Sequence, residues 1–187
     1  VEASTYCNAR CPLCPRSLYG YKVEGVYPEV NLSVQKFKDA LERFPEREYV
    51  YFNGHLGDPM MNPNIVELVK LTGCRTALTT NGSIGSQQSW QDLAKNNVEV
   101  RFSIDGLEDT NHIYRQDVRW NKVMDRAKWF IDAGGVAIWK WIAFKHNVHQ
   151  EEETRTLAKK LGFARFDASD QGRNYGPALD SEGNITH

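Results

Sequence analysis

Short β-rich runs alternate with longer helical patterns along this chain, and no other feature confines the fold as tightly. The β-rich runs are residues 1–6, 49–52, 76–80, 98–104 and 136–144, with a weaker one at 164–167. The spacing predicts helices over 33–44, 63–72, 86–95, 119–133 and 150–161. In the first, Ser33 is the N-cap and Val34, Phe37, Leu41 and Phe44 share one face. Asn62 and Pro63 open the second. Gly134-Gly135 and Gly162 close the last two. Strand–helix repeats of ~30 residues imply right-handed crossovers and a parallel sheet. Six such units predict an α/β fold, a partial (β/α)6 TIM-like barrel with parallel strands. An open doubly wound sheet is the rival.

In either architecture, chemistry gathers at the C-terminal ends of the strands. Polar segments do follow each run. They are Cys7-Asn8-Ala9-Arg10-Cys11-Pro12-Leu13-Cys14, Asn53-Gly54-His55-Leu56-Gly57-Asp58-Pro59, Thr79-Thr80-Asn81-Gly82, Ser103-Ile104-Asp105-Gly106 and Lys145-His146-Asn147. A purely structural protein has no reason to line one rim in this way.

The 187 residues allow one domain as a minimum. The barrel is expected over 1–168, with 169–187 as a C-terminal loop or extension. The chain opens as if at the end of a strand and closes in a polar stretch, so it is expected to continue at both ends. A net charge of −1, from 23 basic and 24 acidic residues, argues against a nucleic-acid partner. No apolar run approaches the ~20 residues that span a bilayer.

Of four cysteines, Cys7, Cys11 and Cys14 crowd into eight residues, and Cys74 stands apart. That crowding points to a metal site in a reducing compartment, with the cytoplasm as the expected location. Three thiolates on a four-iron cube leave one iron open, and an open iron is a place for a substrate to bind. The alternative is structural zinc, which needs a fourth ligand from Cys74 or His55. Both lie on other strand–helix units.

Cys-x-x-x-Cys-x-x-Cys after a first strand resembles the signature of the radical S-adenosylmethionine (radical SAM) superfamily. Gly54-His55-Leu56-Gly57-Asp58-Pro59 resembles that family's Gly-Gly-Glu-Pro segment. Thr80-Asn81-Gly82 resembles its Thr-Asn-Gly. Ser103-Ile104-Asp105-Gly106, followed by His112 and Tyr114-Arg115, is similar to its fourth-strand pattern and to the peptide-modifying, sulfatase-maturing (SPASM-type) branch. The chain departs from the family in two places. Leu13 stands where an aromatic residue is usual, and Asp58 replaces a glutamate.

The resemblance implies a [4Fe–4S] cluster on Cys7, Cys11 and Cys14, with S-adenosylmethionine (SAM) chelating the open iron. Asp58 would accept from the SAM ammonium, and Gly57 would let the backbone approach. Ser103 and Arg115 would hold the carboxylate. Asn81, Asp105 and Asn147 are the candidates for the ribose hydroxyls, with Thr79 in reserve, and Leu13 and Phe144 for the adenine. A reductant such as flavodoxin or ferredoxin is implied. So is reductive cleavage of SAM to a 5′-deoxyadenosyl radical that abstracts hydrogen from a substrate. A peptide or protein side chain is the leading substrate class. A nucleotide or other small molecule is the alternative, and a non-catalytic metal-binding module the second. Cys74, Trp139 and Trp141 are expected to be core, His55 beside the Gly-Asp-Pro turn is a further candidate to meet SAM or substrate, and the Gly-rich stretch 170–177 reads as a loop.

Overall fold

The structure, a computed structural model, describes residues 1–18, 21–22, 28–169, 182 and 184. The loop expected over 170–177, and nearly all of the expected C-terminal extension, lie outside the described residues. Two short strands, β1 (Ser17–Leu18) and β2 (Tyr21–Lys22), pair antiparallel. The main series follows: α1 (Val34–Glu42), β3 (Tyr49–Phe52), a 3₁₀ turn (Pro59–Met61), α2 (Ile65–Leu71), β4 (Arg75–Thr80), α3 (Gln87–Lys95) and β5 (Val98–Ser103). It continues through α4 (Asn111–Tyr114), α5 (Trp120–Asp132), β6 (Val136–Ile142), a second 3₁₀ turn (Val148–Gln150), α6 (Glu151–Lys160) and β7 (Arg165–Ser169).

Strands β3 to β7 form one parallel sheet in chain order, β3-β4-β5-β6-β7. A doubly wound sheet reverses its strand order at a switch point; this sheet does not. The helices also succeed one another, α1 against α2, α2 against α3 and α3 against α5. A helical layer that follows chain order in this way is the outer wall of a barrel.

The expected first strand behaves differently from the others. Residues 1–6 make one isolated bridge, Ser4 with Asn31, in place of a ladder. At its start, the Val1 nitrogen donates to the Tyr51 carbonyl at 2.8 Å and the Val1 carbonyl accepts from the Asn53 N–H at 2.9 Å. The segment is held instead by loop 28–32 and by Asn62, whose amide donates to the Ala3 and Leu32 carbonyls. Asn62 was expected only as a helix cap. It does accept from the Asn64 N–H, but helix α2 starts later than expected, at Ile65.

Alternation on the strands separates two faces. On β5, Val98, Val100 and Phe102 are buried while Glu99, Arg101 and Ser103 are partly open. The buried set meets the helices: Trp90 of α3 stacks on Phe102 at 5.2 Å, and Phe130 of α5 meets the same ring edge-on at 6.2 Å. Trp139 and Trp141 of β6 belong to this core, and Trp139 Nε1 donates to the Ile104 carbonyl. Burying each such ring contributes roughly 1.5–3 kcal/mol, and each ring pair about 0.5–1.5 kcal/mol more. Cys74 is half-buried against the same core.

The opposite face is polar. Tyr51 and Thr79 share a hydroxyl–hydroxyl hydrogen bond of 2.6 Å. Arg101 donates to Glu99 at 2.8 Å and lies over the Tyr51 ring. One row higher, Ser103, Lys140 and Asp167 align across β5, β6 and β7. A sheet with an oily outer face and a polar inner one is built to enclose a polar ligand.

Candidate functional site

A cavity of about 310 Å³ opens at the C-terminal ends of the strands. Cys7, Cys11 and Cys14 line it together with Gly57, Asp58, Asn81, Ser103, Asp105 and Arg115. Thr79 lines it too, so ten of the thirteen expected site residues share this cavity. Leu13, Phe144 and Asn147 do not line it. Leu13 is buried in a small apolar cluster with Cys11, Tyr114 and Phe144. Asn147 is fully buried: its amide donates to the Asp105 and Ile142 carbonyls at 2.9 Å, and its oxygen accepts from the Phe144 N–H at 2.7 Å. It braces the ends of β5 and β6.

Three anchors hold the cysteine loop in place. The Arg10 side chain forks onto Asp117 at 2.5 and 3.2 Å, and its N–H donates to the Gln116 carbonyl. The ion pair is half-exposed and contributes little, within about 1 kcal/mol. The Asn8 and Asn81 side chains join at 3.0 Å, and Asn8 also donates to Ser83. Arg16 donates to the Thr5 and Leu56 carbonyls and pairs with Glu29 at 3.2 Å.

Asp58 caps the Pro59–Met61 turn through the Met60 N–H and faces the cavity. Its carboxylate also accepts from the Thr80 hydroxyl and, at 2.8 Å, from the Asn81 N–H. Burial pushes its pKa above the ordinary carboxylate value, and these hydrogen bonds only partly counter it. An arriving ammonium would supply the missing counter-charge. Gly57 permits the close approach beside it: a Cβ there would stand 2.2 Å from the Ser4 carbonyl oxygen.

Arg115 follows the four-residue helix α4, which the sequence pattern does not reveal. Its Nε donates to Asp105 at 2.5 Å and its Nη1 to the Cys11 sulfur at 3.6 Å, while the guanidinium lies over the Tyr114 ring. Burial by itself would lower its pKa; the Asp105 carboxylate, together with Cys11 and Tyr114, more than offsets that, so the guanidinium stays charged. The other oxygen of Asp105 accepts from the Ile142 N–H at 2.7 Å.

Burial, reinforced by the negative Asp58, pushes the Cys7 thiol up to about 12. Burial also raises Cys11, against the pull of Arg115. Thiols like these ligate iron only as thiolates, so binding iron releases their protons to solvent. Among the described residues, no three His, Cys, Asp or Glu side chains are arranged to hold a single metal ion. A cube bound at three corners needs thiolates spread around a larger body instead, and three cysteines on one cavity wall fit that demand.

Several lining residues carried no assigned role in the sequence reading: Arg16, Tyr51, Thr80, Tyr114, Lys140 and Asp167. Lys140 and Asp167 could have been found by period two, since both share the inward row of Ser103. Arg16 carries no such signal. His55 is exposed and lines the cavity; Cys74 does not line it.

The family model of the radical SAM superfamily matches residues 1–159. A tungsten-containing aldehyde ferredoxin oxidoreductase cofactor-modifying protein of Pyrococcus furiosus is 28% identical over 117 residues, 60% of this chain and 32% of that protein. An AdoMet-dependent heme synthase of Oleidesulfovibrio alaskensis is 30% identical over 111 residues, 56% of this chain and 27% of that protein. Among solved structures, Streptococcus suis SuiB bound to S-adenosylmethionine superimposes with a TM-score of 0.72 at 18% identity, covering 94% of this chain and 40% of SuiB. SuiB bound to the precursor peptide SuiA gives 0.71 at 18% identity, covering 89% and 37%. At that identity the likeness concerns the fold alone. The chain spans well under half the length of all these relatives.

Proposed function

The chain belongs to the radical SAM superfamily, and on that premise we propose that it is the catalytic core of an enzyme that cleaves SAM reductively at a [4Fe–4S] cluster. The observation that carries this reading is the meeting of Cys7, Cys11 and Cys14 with buried Asp58 and Arg115 around one cavity. The three thiolates would hold the cluster and leave one iron for the SAM amine and carboxylate. When bound, the cluster and SAM supply the electron and the 5′-deoxyadenosyl radical that takes a hydrogen atom from the substrate.

The chain's own residues bind, orient and shield. Asp58 accepts the SAM ammonium, and Gly57 keeps the approach open. Ser103 and the N–H groups of Arg115 suit the carboxylate, since a guanidinium matches its fork. Asn81 and Asp105 offer polar groups toward the ribose. The buried cluster of Leu13, Phe144, Tyr114 and Cys11 backs the cysteine loop rather than facing the adenine, and Asn147 holds the strand ends that carry the polar groups. The oily core outside the sheet keeps water from that side of the reaction.

A peptide or protein side chain is the leading substrate class, supported by the likeness to SuiB, which has been solved with a precursor peptide. The names of the two curated relatives favour a second reading, a small cofactor-like molecule. The SPASM-type branch, a flavodoxin- or ferredoxin-type donor and the cytoplasm belong to the same proposal. No helix among the described residues is long and apolar enough to cross a membrane.

Electron paramagnetic resonance of the anaerobically reconstituted, reduced protein tests the site. Adding SAM is expected to change the cluster signal, because SAM takes the open iron. A signal indifferent to saturating SAM would count against the reading.

A further inference from the structure

We propose that Arg115 is a positioning residue for the cluster, a charged donor to the Cys11 sulfur that raises the cluster's reduction potential. The inference rests on the reading that the three cysteines hold a [4Fe–4S] cluster, and it adds a role which binding of the SAM carboxylate does not require.

Cys7 and Cys11 meet different kinds of donor. The Cys7 sulfur accepts from two neutral donors, the Ala9 N–H at 3.4 Å and the Asn81 amide at 3.9 Å. The Cys11 sulfur accepts from a cation, Arg115 Nη1 at 3.6 Å. That cation has little freedom to turn away. Its Nε is fixed to Asp105 at 2.5 Å, Asp105 is fully buried, and Asp105 is itself fixed by the Ile142 N–H. The Arg115 side chain is 12% exposed, so solvent screens its charge only weakly.

Adding one electron to a cluster increases the negative charge on its sulfur ligands. A donor held against a ligand sulfur therefore stabilises the reduced form more than the oxidised one, and hydrogen bonds to sulfur are among the levers that set such potentials. The donor's positive charge, partly offset by Asp105 but facing the sulfur, strengthens that effect at low exposure. Arg115 thus links the Asp105 strand end to the redox state of the cluster through one side chain.

The test is a dithionite titration of the reconstituted protein, followed by EPR, on wild type, Arg115→Gln, Arg115→Lys and the double variant Arg115→Gln/Asp105→Asn. The double variant leaves neither charge buried alone. Iron and sulfide content, with the EPR signal itself, report separately on whether a [4Fe–4S] cluster is present; its absence in wild type would end the underlying reading. With clusters present, both Gln variants are expected to titrate at a more negative midpoint than wild type, with Lys recovering part of the shift. Unchanged midpoints would overturn the proposal. A second measurement needs no variant: wild type carrying ¹⁵N-labelled arginine should show a ¹⁵N hyperfine coupling to the reduced cluster, and a reduced cluster without that coupling also overturns it.

Discussion

Arg115 Nε and Asp105 Oδ2 meet at 2.5 Å, and the Asp105 side chain is fully buried. The two are ten positions apart in the chain, and the four-residue helix α4 lies between them. Removing one partner of such a pair leaves the other charge buried without compensation, which costs about 3–5 kcal/mol. Asp105→Ala is therefore expected to lower the urea-unfolding free energy by that amount. Arg101→Ala, which breaks the more open Arg101–Glu99 pair, should cost less. Equal losses in the two variants would contradict the account of Arg115 as firmly held.

Gly57 and Gly134 offer a matched comparison. A Cβ at Gly57 would meet the Ser4 carbonyl at 2.2 Å and Thr5 backbone at 2.7 Å, on the segment leading to Cys7. A Cβ at Gly134 would meet nothing within 4 Å, and its positive φ of 87° is the sole obstacle. Gly134→Ala should cost about 1–2 kcal/mol, the usual left-handed penalty. Gly57→Ala should cost more, about 3 kcal/mol or above as for other severe backbone clashes, and should reduce the iron retained after reconstitution. Thermal melts and iron assays of the two variants check this.

The Asp58 carboxyl has a folded-state pKa raised above its unfolded value of 3.8. The protonated form is thus favoured by folding. Its stabilising contribution is complete below pH 3.8 and is lost as pH rises through the shifted value. In the cluster-free chain, Asp58→Asn should flatten this decline of unfolding free energy with rising pH. Glu2, also raised by burial, leaves a residual slope of the same sign. A variant as steep as wild type would place the titration elsewhere. Bound SAM should reverse the effect, because its ammonium favours the ionised carboxylate.

The cysteine trio was legible because its chemistry is written in local spacing, three thiols within eight residues. The parallel barrel wall was legible because strand and helix periods alternate without interruption from residue 33 to 168. Asp58 and Arg115 could be picked out because strand ends in such folds converge, although they stand 57 residues apart in sequence. What the sequence hid was long-range bonding. Asn147 reads as a cap for the next helix, yet its amide bonds reach Asp105, 42 residues away. Residues 1–6 have a strand's composition, but beyond Val1, which bonds to Tyr51 and Asn53, their backbone bonds go to loop 28–32 and Asp58 and form no ladder with β3. Helix α4 has four residues, about one turn, too few to show a period. Arg16 is held by carbonyls of Thr5 and Leu56, which no local pattern announces.

The central claim is that the cavity beside Cys7, Cys11 and Cys14 cleaves SAM. Its most direct test is anaerobic: reconstitute with iron and sulfide, reduce, add SAM, and quantify 5′-deoxyadenosine for wild type and Cys11→Ala. The account predicts product from wild type, and none from a Cys11→Ala variant that still melts as a folded chain, because the barrel wall has its own core. A wild-type protein with an intact four-iron cluster that forms no 5′-deoxyadenosine, together with a Cys11→Ala variant that unfolds, would contradict it and favour a structural metal module.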